Sequence, residues 1–367
     1  MKRRAPAAEL IRPLPPLPAT PRLRARPRSH PPRVRWLLPL GTVLAAVVGG
    51  VLLVHAGAPL SLGQSHPGHT ISYYMDTTNP TRLYELGCGL GEQLEHGAPP
   101  QDALVIMAFG QALKSGSEYG ASAYGGSGGF GSTREIAEAV QQFARGFYLC
   151  SGANYDSHVK VVVGTSTYGI GRNLGSPEAA RHGAAWARMV NSINAWLRDR
   201  GYRSQAGVVG GNDIEVSWST PGMARAWVDG YDAAASWPYY NFGDAAGCPT
   251  SGTTGSPRPC GGQWTQEDVW YVAYGVPSAY AVPEIYRNDG ALARQWQQIS
   301  LYGYLRTGWR VVYRGSLTQY GACQQRSCDP SLDNTPRQGW MQLHEALAAD
   351  PRTELIELRF ASDIRWF

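Results

Sequence analysis

Eight short β-rich runs punctuate the chain beyond residue 70, and each of the first seven is followed by an amphipathic segment. They span residues 71–76, 103–110, 159–165, 206–215, 237–242, 279–286, 309–317 and 354–363. Several are almost continuously apolar, the pattern of strands covered on both faces. Strands and helices in alternation build parallel sheets, and eight such units predict an α/β chain folded as a (β/α)8 TIM-barrel-like domain over residues 71–367. A doubly wound open sheet is the alternative. It would be large, and no Gly-x-Gly-x-x-Gly turn opens its first helix.

The helix starts agree with this division. Ser132 and Glu135 form a capping box, Pro177 follows Ser176 at a first-turn position, and Thr265 with Asp268 resembles a third cap. The longest amphipathic segment carries Trp186, Met189, Val190, Ile193, Trp196 and Leu197 at helical spacing, which reads as core.

In a barrel, residues at strand C-termini line one mouth. Taken in chain order they include Asp76, Gln111, Thr165, Asp213, Glu215, Asn241, Asp244, Glu284, Tyr286, Gln319 and Asp363. Acids and amides dominate, with no histidine. Such a set is poor for phosphoryl or hydride transfer and good for protonating a glycosidic oxygen. Asp213 and Glu215 are the leading pair, because side chains two apart on a strand share a face, roughly 7 Å apart along it. Glu284 sits inside an apolar run, where an acid needs a partner or a purpose. Asp76 is the fourth catalytic candidate, although an Asp after a strand is often a helix cap. Trp218, Tyr286 and Tyr240 offer ring faces for sugar stacking, and Asn241, Gln319 and Asp363 offer hydrogen bonds, so these six are the expected substrate contacts. Core packing is the plain alternative for the aromatics.

The segment 115–131 is rich in Gly and Ser and reads as a mobile flap over the mouth. Residues 125–129 match Gly-x-Ser-x-Gly, but they fall mid-loop and not at a strand-to-helix elbow, so no serine nucleophile is expected.

Residues 1–35 hold ten Lys or Arg, one acid and many prolines, the composition of a disordered basic tail. Residues 36–54 carry no charge. As a helix these span about 28 Å, close to a bilayer's hydrocarbon core. The expectation is therefore a transmembrane signal anchor over 36–55, then a linker over 56–70. The Arg-rich side stays cytoplasmic, which makes a single-pass membrane protein with its C-terminal domain extracellular. Cleavage near the small residues 54–58, leaving a secreted protein, is the competing reading.

The formal charge of +5 comes from that basic segment, since beyond it 23 basic residues face 27 acids. A nucleic-acid partner is not expected. All six cysteines lie beyond the anchor, and an even count in an oxidising compartment reads as disulfides. Short loops favour Cys248–Cys260 and Cys323–Cys328, leaving Cys88–Cys150 to join two neighbouring helices. Neither a metal nor a cofactor is expected; Cys323-x4-Cys328 is no zinc pattern.

The chain resembles the glycoside hydrolase superfamily of TIM barrels, nearest to the lysozyme-like muramidases and related exported bacterial domains. Those carry an Asp at the first strand, an Asp-x-Glu at a middle strand and an Asp near the last. Asp76, Asp213-Ile214-Glu215 and Asp363 occupy comparable places. The departures are Tyr74-Met75-Asp76 where Gly-x-Asp is usual, and the absence of the upstream aspartates of the chitinase signature. The resemblance implies that Glu215 is the general acid, with Asp213 orienting a water or the substrate's acetamido group. With the anchor expected over 36–55, the expectation is a membrane-anchored glycosidase acting on a cell-wall or environmental polysaccharide, peptidoglycan included. A catalytically inactive glycan-binding barrel or a cell-surface scaffold is the alternative.

Overall fold

The computed structural model describes residues 66–97, 102–124, 129–152 and 155–367. The apolar run 36–54 and the basic segment before it lie outside these residues. Among the described residues no helix is long and apolar enough to cross a membrane.

The chain enters on β1 (Thr70–Tyr74) and α1 (Pro80–Glu95), whose first turn is capped by Asn79. The long strand β2 (Ala103–Ser115) then turns back through β3 (Glu118–Ser122) and β4 (Phe130–Ser132) before α2 (Thr133–Cys150). Next come β5 (Val159–Ser166), α3 (Ser176–Asp199), β6 (Ala206–Asp213), α4 (Pro221–Ala234), β7 (Tyr239–Asn241) and α5 (Gln266–Tyr274). The last quarter holds β8 (Ala279–Ala281), α6 (Ala291–Thr307), β9 (Gly315–Thr318), α7 (Tyr320–Gln325), α8 (Pro336–Ala348) and β10 (Phe360–Trp366).

Eight of these strands pair in parallel in the order β8-β7-β6-β5-β2-β1-β10-β9. The two ends meet through single bridges, Ala281 with Tyr313 and Glu284 with Leu317. Leu317 donates its N–H to Pro283 O at 2.9 Å and accepts from Ile285 N at 2.8 Å. The result is a near-closed, parallel, eight-stranded TIM-like barrel, with strand and helix in the expected alternation.

Strand alternation divides the core into two layers. Leu104, Ile106, Val162, Val209, Phe242, Val282, Leu317 and Ile364 fill the barrel, while a larger shell packs strands against helices. The helical stripe on α3 belongs to that shell, with Trp186, Val190, Ile193 and Leu197 buried. Phe242 fits because β5 and β6 present glycines to it. A Cβ at Gly164 or Gly211 would lie 2.6 or 2.9 Å from its ring. The Ser132–Glu135 and Thr265–Asp268 caps both form.

The segment expected as a flap differs. β2 runs on to Ser115 and pairs antiparallel with β3, which pairs with β4. A register shift between Ala108 and Gln111, with Gly110 at φ 97°, lets β2 leave the barrel wall for this hairpin. Residues 125–128 lie outside the described residues. Alternating small and apolar residues on both sides of the Gly116 turn supply the pairing that composition alone concealed.

Three disulfides join the expected pairs, and no cysteine is free. Cys88–Cys150 staples α1 to α2, and Cys323–Cys328 closes the turn after α7.

Candidate active site

The C-terminal ends of β1, β6 and the segment following β8 converge on one cleft of about 560 Å³. Tyr74, Tyr124, Asp213, Glu215, Trp218, Tyr286, Gln319 and Trp366 are among its walls. Asp213 ends β6 with its side chain on the same side as Val209 and Gly211, toward the barrel axis, and Glu215, just past the end of the strand, lines the same cleft. Glu284 comes from the segment held by its bridge to Leu317. One carboxylate oxygen from each of Asp213, Glu215 and Glu284 lies within 4.8 Å of the others.

Tyrosines hold this group. Tyr124 donates to Asp213 Oδ2 at 3.1 Å and Tyr286 donates to Glu284 Oε1 at 2.9 Å. The Tyr74 and Tyr286 hydroxyls meet at 3.3 Å. Asp213 Oδ1 is buried without a hydrogen-bond partner among the described residues. Thr167 ties the ends of β5 and β6 together, donating to Asp213 O at 3.1 Å and accepting from Glu215 N at 3.4 Å. Asp244 stands behind, accepting from Val216 N at 3.1 Å.

No cation pairs with these acids among the described residues, so burial and mutual repulsion both favour their neutral forms. Burial, then the charges of Asp213 and Asp244, pushes Glu215 up to about 9. Burial raises Glu284, helped by the neighbouring acids, and burial raises Asp213 against the opposing effect of the Tyr124 hydrogen bond. A proton is thus held at neutral pH on the partly exposed Glu215. That is the condition for a carboxyl to act as general acid.

The aromatic wall continues outward. Trp218 meets the Tyr168 ring edge-on at 5.3 Å and lines a second depression of about 580 Å³ with Met223 and Trp264. Trp366, the residue paired with Tyr74 on the adjacent strand β10, lies 4.7 Å from its ring on the same wall.

The other expected residues are placed elsewhere. Asp76 is half-exposed beyond β1, 3.6 Å from Arg82, and does not join the acid group. Because β1 ends at Tyr74, the parity that would have carried Asp76 inward is lost, and Tyr74 takes that place. Asp363 points away from the barrel axis; it accepts from Thr318 Oγ1 at 2.6 Å and from the N–H groups of Tyr320 and Gly321, fixing the turn into α7. Asn241 is buried and holds Gly243 N at 3.0 Å. Tyr240 faces a different cavity, at the opposite end of the barrel. Gln319, Trp218 and Tyr286 line the acid-bearing cleft.

Tyr74 and Tyr124 are site residues that the sequence did not single out. The signal for Tyr74 was its parity with Ser72, both on the inward face of β1. Tyr124 had none, since its position depends on the hairpin.

No protein-family model matches the chain, and no curated protein matches it.

Proposed function

We propose that the described domain is a glycoside hydrolase acting on a cell-wall or environmental polysaccharide. The observation that carries this reading is the trio Asp213, Glu215 and Glu284 within 4.8 Å, unpaired with any cation among the described residues, with Asp213 and Glu215 lining an aromatic-walled cleft. Hydrolysis of a glycosidic bond asks for one carboxyl that stays protonated and a second that supports the developing oxocarbenium charge. Glu215, the most accessible of the three, is the acid. Asp213, oriented by Tyr124, faces the anomeric side and positions a water or an acetamido oxygen. Glu284, held by Tyr286, keeps the shared protons in place.

Two depressions separated by Trp218 fit a chain of sugars better than a single ring, since indole faces stack on sugar C–H faces. Three disulfides favour an oxidising compartment. With the uncharged run at 36–54 they support a membrane-anchored protein whose barrel is exported.

The test is release of reducing ends from peptidoglycan or chitin-like polymers by the full-length protein. Glu215→Gln should lower the rate by over about 10²-fold. Unchanged turnover rejects the assignment, and retained glycan binding without turnover in the parent protein identifies a binding barrel.

A further inference from the structure

A larger cavity, about 1190 Å³, opens at the other end of the barrel, among the N-terminal ends of β2, β5, β6 and β10. Its walls carry five cations, Lys160, Arg203, Arg310, Arg314 and Arg359, against the acids Asp102, Glu354 and Glu357. Two of the cations are engaged. Arg359 bonds Asp102, which also meets His158 at 3.1 Å, and Arg310 donates to the Glu354 carbonyl. Three have no acid partner among the described residues.

Lys160 is the centre of this group. It projects from β5 opposite Gly207 of β6, and a Cβ on that glycine would sit 3.2 Å from Nζ. The ammonium therefore lies folded over a neighbouring strand, and it makes no hydrogen bond or ion pair among the described residues. Burial and the charges of Arg359, Arg314 and Arg203 all lower its pKa, with Asp102 opposing them weakly. Arg314 stacks over Tyr280 at 4.0 Å, and its buried Nε has no hydrogen-bond partner among the described residues. Arg203 lies over Trp237 at 4.6 Å. Lys160 and Arg314 are half-buried and Arg203 is exposed at the rim, and partly desolvated cations without a counter-ion are costly unless an anion neutralises them. A planar guanidinium fork beside a compact ammonium suits a phosphate group.

We propose that this cavity binds a phosphate group, held by Lys160, Arg314 and Arg203 and carried on a small organic body or a lipid headgroup. Trp237, Tyr240 and Tyr274 line the same cavity and supply ring faces for the body. The rim bears the exposed Trp309 and Ile356, and β1 enters the barrel at this end, so a phospholipid surface and a soluble phosphate ester share the same chemistry here. The proposal does not depend on hydrolysis at the opposite mouth.

The chain has lysines only at positions 2, 114 and 160, which makes a direct readout simple. Full-length protein is acetylated with acetic anhydride, and each lysine is followed by mass spectrometry with inorganic phosphate, glycerol phosphate or phosphatidylglycerol vesicles present. Selective protection of Lys160 over Lys114 by the soluble anions supports a phosphate-ester site. Selective protection by the vesicles alone supports a headgroup site. Equal acetylation of Lys160 under every condition overturns the proposal. In parallel, calorimetric titration with inorganic phosphate should show at least ~tenfold weaker binding for Lys160→Met and Arg314→Met than for the parent. Parent-like affinity in either variant with an unchanged circular dichroism spectrum also overturns it, whereas Glu215→Gln should bind as the parent does.

Discussion

Asp213 ends β6 and Glu284 stands two strands further round the barrel, yet their carboxyl oxygens lie within 4.8 Å of each other. Unfolded, these acids ionise in the ordinary range, near 4.5 for Glu215, whereas in the fold Glu215 holds its proton to about 9. The folded state therefore binds more protons across that window, and stability falls as pH rises through it. The contribution is complete below the ordinary carboxylate range and is progressively lost toward the alkaline end. Glu284→Gln keeps an acceptor for Tyr286 and removes one of the competing charges. It should raise the unfolding free energy by ~1–2 kcal/mol near pH 8 and by little near pH 4. Urea denaturation at both pH values measures this, and a loss of stability at the higher pH would contradict it.

The same proton holding shapes the rate profile expected of a hydrolase. With Glu215 as acid, kcat/KM should persist through neutral pH and decline on an alkaline limb approaching 9. Tyr124 donates to Asp213 and so favours its ionised form. Tyr124→Phe should raise the acid limb, because Asp213 then stays protonated to higher pH. A profile whose acid limb is unmoved by this change would remove Tyr124 from the assignment.

Carboxyl spacing bears on stereochemistry. Inverting glycosidases separate their two carboxyls by roughly 6.5–9.5 Å to admit a water, and retaining ones by only about 5–5.5 Å. One oxygen from each member of the trio lies within 4.8 Å of the others, which matches the shorter spacing and not the longer one. The first-formed product should therefore keep the anomeric configuration of the substrate. Proton NMR of early products reads this directly, and an inverted anomer would mean that a different pair of groups does the chemistry.

The strand and helix alternation was legible because parallel strands buried on both faces are apolar along their whole length and stand out from the helices between them. All eight barrel strands fall within or beside their expected runs. Their ends were not legible, because where a strand stops depends on its neighbours. Thus Asp76 was expected at the mouth but lies past the end of β1, while Tyr74 faces inward. Asp213 and Glu215 share the cleft, but Glu215 reaches it from the loop past the end of β6, beyond what strand periodicity fixes. Glu284 stood out because burying an acid in an apolar run costs free energy unless a partner or a function offsets it. Asp363, by contrast, spends its carboxylate on the turn into α7, a capping role that sequence spacing does not distinguish from ligand contact. The β3–β4 hairpin was hidden by its own composition, since Gly and Ser suit a tight turn as well as a loose loop.

Gly211 links the barrel interior to the acid pair. A Cβ there would lie 2.5 Å from Val162 Cγ1 and 2.9 Å from the Phe242 ring, both in the filled interior. Neither neighbour has space to retreat, as Phe242 is also pressed by Gly164. Gly211→Ala should destabilise the domain by about 1–3 kcal/mol through overpacking. Because Asp213 follows two residues later on the same face, the displaced strand should also shift its carboxyl and depress turnover by more than the folded fraction accounts for. Pairing the change with Phe242→Leu relieves the ring contact and should recover part of the stability. Thermal unfolding of the single and double variants measures the coupling, and strictly additive losses would show that the Phe242 contact is not the cause.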